Sequence, residues 1–114
     1  MDYKELDVWK RSIGLVKNIY EISSKFPKEE IYGLAAQIRR AAISVPSNIA
    51  EGSARGDKEF IQFLNISLGS LSELETQLII AYELSYVDNS KGIFQNITDV
   101  RKLLLGLRKH LKTK

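Results

Sequence analysis

The chain has 114 residues, 44% of them hydrophobic and 27% charged, with a formal net charge of +3 and no cysteine. That length allows a single core burying roughly two-thirds of the unfolded surface, and residues 1–114 are read as one domain. The missing cysteines exclude a disulfide framework, a thiolate metal site and a cysteine nucleophile.

The N-terminus, MDYKELDVWKR, is charged, and nowhere do about 18 apolar residues run together. A soluble, unsecreted, cytoplasmic protein with no membrane partner is expected.

The first helix is expected over residues 6–25. At 100° per residue its apolar side chains form two stripes, Leu6, Trp9, Ile13, Val16 and Tyr20, then Val8, Leu15, Ile19 and Ile22. Together they cover nearly twice the roughly 100° face that packing inside one bundle requires, so one stripe is expected to meet a partner. Phe26-Pro27 stops the helix, because the residue before a proline is pushed out of the α region.

The second helix is expected over 28–54, with Glu29 and Glu30 at its positive dipole end. Ile31, Leu34, Ile38, Ala42, Val45 and Ile49 make its core face, and Tyr32, Ala36, Ile43, Ala50 and Ala54 a mostly small flank that suits another helix. Gln37, Arg40, Ser44, Asn48, Glu51 and Arg55 make a wholly polar third side. Pro46 removes an amide donor and crowds the carbonyl of Ala42, which predicts a kink.

Gly52 and Gly56 bracket the exit, and Asp57 is the expected N-cap of a third helix over 57–86. Its core positions are Phe60, Leu64, Leu71, Leu74, Leu78 and Ala81. Gly69, which costs about 1 kcal/mol against alanine in mid-helix, points to a close crossing. Glu75 falls at the core edge and needs a partner, for which Arg39 is the first candidate. After the turn residues Asp88, Asn89 and Ser90, the residues Ile93, Ile97, Val100, Leu104, Leu107 and Leu111 recur in steps of 4 and 3. Four helices, short connections and no strand-period segment predict an all-α, up-down-up-down four-helix bundle.

The block QIRRAAISVPSNIAEG followed by Arg55, with LDVWKRS before it and KEFIQFLNISLGSLSELETQLIIAYELSYV after it, carries a specific resemblance. It resembles the bacterial four-helix-bundle family of 23S rRNA intervening-sequence proteins, also labelled S23-like. The resemblance implies a ring-shaped homo-oligomer, a pentamer, encoded within insertions of the large-subunit rRNA gene. It also implies distant kinship with the accessory protein of diversity-generating retroelements, which binds a reverse transcriptase and nucleic acid. Such kinship names an architecture, not an activity.

The inventory for catalysis is poor. The single histidine, His110, lies in the basic tail, so one chain assembles no di-metal Glu-x-x-His pair, no histidine triad and no zinc site. The GSARG segment lacks the ending of a phosphate-cradling loop, and Glu73 and Glu75, two residues apart, face apart on a helix. No catalytic residue, metal or cofactor is expected.

Binding is better supplied. Gln37, Arg40, Ser44, Asn48 and Arg55 offer donors to phosphate or bases, although Glu51 is spaced to pair with Arg55 and an embedded acid repels phosphate. Arg101, Lys102, Arg108, Lys109 and Lys112 form a basic patch with no acid among them, an arrangement that also suits a helix C-terminus. The expected function is a non-enzymatic oligomeric scaffold contacting RNA or DNA. The alternative is an adaptor for a partner protein such as a reverse transcriptase.

Overall fold

The computed structural model describes residues 2–89 and 92–114. A short 3-10 turn, Tyr3–Glu5, leads into four helices: α1 (Asp7–Ser23), α2 (Leu34–Ser53), α3 (Asp57–Glu83) and α4 (Ile93–Lys112), with a second 3-10 turn at Lys28–Glu30. No strand is present among the described residues. Each helix packs on the next and α4 returns to α1, while α1 and α3, and α2 and α4, stand diagonally across the core with their backbones further apart. That closed square is the arrangement of an antiparallel four-helix bundle. Its direction is read from the cross-links: Ser67 of α3 meets Val45 and Ser70 meets Ser44, while Glu75 meets Arg101 and Asn65 meets Arg108.

The core runs the length of the bundle. Leu15, Ile19, Ile38, Val45, Ile49, Leu64, Leu71, Leu74, Leu78, Ile97, Val100 and Leu104 are all fully buried. Of the two stripes on α1, the one holding Val8, Leu15 and Ile19 is therefore bundle core, with Ile22 partly buried beside it. The other lies at the edge of the core, with Leu6, Trp9 and Val16 partly buried against it, Ile13 half-buried and Tyr20 exposed.

The second helix begins at Leu34, later than its apolar pattern suggests. Gly33 takes a non-helical conformation in front of it, and the Glu30 carboxylate reaches from the preceding 3-10 turn to accept from the Leu34 amide at 3.2 Å. Glu30 thus serves the positive end of α2 from outside the helix. Ile31, expected on the core face, and Tyr32 consequently stand in the connection, 56% and 96% exposed.

Helix α2 continues through Pro46, and two side-chain donors reinforce the carbonyls just before it. Asn48 Nδ2 donates to the Ser44 carbonyl at 2.8 Å, and Ser67 Oγ to the Val45 carbonyl at 2.9 Å. The cap of α3 is Gly56, with extended backbone, so Asp57 is the first helical residue and not the N-cap. At the other end α3 stops at Glu83, short of Tyr86, in a Schellman turn. The Tyr86 amide donates to the Ala81 carbonyl at 2.9 Å and the Ser85 amide to Tyr82 at 3.0 Å, with Ser85 at φ 62°. Of the turn residues before α4, Ser90 lies outside the described residues, and Gly92 at φ 65° is the N-cap.

The close helix crossing lies at Gly52, not at Gly69. A Cβ on Gly52 would stand 2.6 Å from Phe63 Cβ and 2.9 Å from Phe60 Cδ1, whereas one on Gly69 would meet nothing within 4 Å. Gly52→Ala is therefore expected to lose about 1–3 kcal/mol through overpacking, partly offset by helix propensity, while Gly69→Ala gains up to about 1 kcal/mol. Urea denaturation of the two variants checks the opposite signs.

The two long connections are tied together. Tyr86 hydroxyl donates to Glu30 Oε2 at 3.0 Å and its ring lies 5.5 Å from that of Phe26. The hydrogen bond to Glu30, then burial, then the charges of Glu30 and Glu29 push the Tyr86 hydroxyl above the usual phenol range. A raised folded-state pKa stabilises below the unfolded value near 10, and that stabilisation is lost as pH rises through the raised value. Tyr86→Phe should accordingly be less stable than the wild type at pH 8, with the gap narrowing under strong alkali. Thermal melts across pH 8–12 measure it.

Candidate functional site

The polar side of α2 faces the α3 seam, and the structure divides it. Ser44 Oγ lies 2.8 Å from Ser70 Oγ, and Asn48 Nδ2 donates to Ser44 Oγ at 2.9 Å, so this part of the stripe joins α2 to α3. Arg55 is held between Glu51 at 3.5 Å and Glu59 at 3.1 Å, with its guanidinium 5.0 Å from the Phe63 ring centroid. Two carboxylates more than match its charge, which disfavours phosphate there. Gln37 and Arg40 remain exposed, and Arg40 has no ion-pair partner among the described residues. Six residues adjacent by spacing thus have three different roles.

The basic patch on α4 is thinned in the same way. Arg101 Nη2 pairs with Glu75 Oε1 at 2.8 Å, and Arg108 Nη1 donates to Asn65 Oδ1 at 2.8 Å. Glu75 thus has a cationic partner, but it comes from α4 and not from Arg39. Arg39 instead turns to α1, where Nε donates to Ser23 Oγ at 2.7 Å and the guanidinium stacks 4.7 Å from the Tyr20 ring centroid. Lys102, Lys109 and Lys112 are exposed and carry no ion pair among the described residues. They span about 15 Å of helix at 1.5 Å per residue.

Beside these lies an apolar groove of about 250 Å³ between α1 and α2, lined by Tyr3, Trp9, Ile13, Val16, Ile43, Pro46, Ser47 and Ala50. Trp9, Ile13 and Val16 belong to the partly buried stripe of α1, and Ile43 is 42% exposed. Tyr3 closes one end by an edge-on contact with Trp9 at 5.5 Å between ring centroids. Sequence reasoning placed Ile43 and Ala50 on the flank of α2 but treated Pro46 only as a helix breaker. Its place in the groove was legible, since 43, 46, 47 and 50 share one helix face.

The fold and these surfaces define a class: a small all-helical, four-helix protein with an apolar groove on one flank and exposed lysines on another. The chain belongs to the family described as 23S rRNA-intervening sequence protein, which it matches over residues 4–106. Its structure is similar to the crystal structure of a protein of unknown function from the S23 ribosomal protein family of Bacteroides thetaiotaomicron VPI-5482. The two share 25% sequence identity and a TM-score of 0.83 over 96% of this chain and 99% of the other. No curated protein matches significantly. No described helix is long and apolar enough to cross a membrane.

The Glu75–Arg101 pair is roughly one-third exposed on either side, so its coupling is expected at about 1 kcal/mol or less. A double-mutant cycle by urea denaturation should find that coupling for Glu75 with Arg101 and none for Glu75 with Arg39.

Proposed function

We propose that the protein is a non-enzymatic cytoplasmic scaffold that assembles into a ring-shaped homo-oligomer, a pentamer, and holds RNA or DNA on its basic surface. The observation that carries the reading is the α1–α2 groove, where Ile43 is 42% exposed and Trp9, Ile13 and Val16 are only partly covered by the bundle. A second copy supplies a matching face. The exposed apolar side chains of α3 lie on two sides of the helix, Ile79 and Tyr82 (48% and 50% exposed) on one and Ile66 and Ile80 (50% and 44%) on another, and the Ile79–Tyr82 side is the face assigned to the second copy. Contact between two different faces is head-to-tail, and such contacts generate rings when the rotation closes.

Assembly would also concentrate charge. Five chains of +3 carry about +15 on one particle, gathering the Lys102, Lys109 and Lys112 ridges that are sparse on one chain. If about five phosphates are neutralised, the log-log salt slope on duplex DNA approaches −4 to −5. The adaptor reading has its own support, because a groove between two helices also suits an amphipathic helix of a partner protein such as a reverse transcriptase. Capture that survives nuclease and high salt favours the adaptor.

Sedimentation velocity tests the scaffold. The wild type is expected to sediment as an oligomer at micromolar concentration and Ile43→Glu as a smaller species of equal helicity. A compact wild-type monomer would remove the assembly, and affinity for structured RNA no better than millimolar at low salt would remove the nucleic-acid half.

A further inference from the structure

A second groove, of about 400 Å³, runs between α1 and α4 and has the opposite chemistry. It is lined by Lys10, Arg11, Gly14, Lys17, Asn18 and Asn96, with Glu21 at one end. No apolar side chain lines it, so it suits neither a greasy ligand nor a lipid tail. Its shape follows from Gly14, where a Cβ would meet nothing within 4 Å. The missing side chain leaves a floor, and Lys10, Arg11, Lys17 and Asn18, three or four residues to either side, rim it on the same helix face.

The cations of this groove are not equivalent. Arg11 Nη2 is tied to Asp99 Oδ2 of α4 at 3.3 Å, and Gln95 Nε2 holds the other carboxylate oxygen at 3.0 Å. That cross-link joins the two walls at the surface. Lys10 and Lys17 are exposed and have no ion-pair partner among the described residues. They are seven residues apart, about 10.5 Å along the axis, which matches about three nucleotide steps at 3.4 Å of duplex axis per strand. Asn18 and Asn96 add amide donors between them, and with no aromatic in the lining there is no platform for base stacking.

We propose that the α1–α4 groove is a seat for the phosphodiester backbone of a nucleic-acid strand, bound without regard to sequence, with Lys10 and Lys17 as its phosphate contacts. The inference rests on the nucleic-acid reading above and assigns it to residues outside the α2 stripe and the α4 patch. Glu21 repels phosphate, so the strand leaves the groove at that end.

Fluorescence anisotropy with a labelled 20-base-pair mixed-sequence DNA duplex tests the assignment. Two variants of the full chain are compared with the wild type over a salt series. Lys10→Gln/Lys17→Gln removes both contacts, and its log-log salt slope should flatten by about 2, with affinity down about tenfold at 0.1 M salt. Gly14→Gln keeps every charge and favours the helix but fills the floor; it should weaken binding several-fold with stability retained, as circular dichroism would record. A wild type that binds while both variants match it in affinity and slope would overturn the groove and leave the nucleic-acid reading standing. A wild type that does not bind would overturn both.

Discussion

The arrangement depends on how closely α2 is drawn against α3. Gly52 has no side chain because Phe60 and Phe63 occupy the space beside it, and Ser67 and Ser70 of α3 reach across to Val45 and Ser44. These contacts fix the rotation of α2 about its own axis. Once that rotation is set, Ile38, Val45 and Ile49 point into the core, and Ile43, Pro46 and Ala50 point toward α1. Pro46 is buried in the wall of the apolar groove, and the carbonyl it leaves without an amide donor is that of Ala42, four residues before it.

From that geometry both grooves follow. Helix α1 packs its Val8, Leu15 and Ile19 stripe inward, which turns Trp9, Ile13 and Val16 toward α2 and Lys10, Gly14 and Lys17 toward α4. One helix therefore borders an apolar cleft on one flank and a cationic cleft on the other. Lys10, Gly14 and Lys17 each follow one of Trp9, Ile13 and Val16 by a single residue, so the two clefts are separated by about 100° around α1.

Much of this was legible in the sequence because helical periodicity is a strong signal where cores are aliphatic. The four helices, their order and nearly all core positions could be read from residues such as Leu64, Leu71, Leu104 and Leu111. Boundaries were less legible. A carboxylate capping from outside, as Glu30 does for Leu34, and a Schellman turn with serine at Ser85 leave weaker marks than glycine or proline. Long-range partners were the least legible. Glu75 asked for a cation, and spacing alone could not choose Arg101 over Arg39, since that choice depends on helix rotation. The α1–α4 groove escaped notice for the same reason, its walls being more than seventy residues apart in the chain.

Trp9 is the chain's single tryptophan and lines the apolar cleft, so its fluorescence reports directly on whether that cleft is covered. Acrylamide quenching measured from nanomolar to tens of micromolar protein is the most direct measurement. Assembly through the cleft predicts that quenching falls and emission shifts to shorter wavelength as concentration rises. Quenching and emission that stay constant over that range, in a species that sediments as a monomer throughout, would contradict the account.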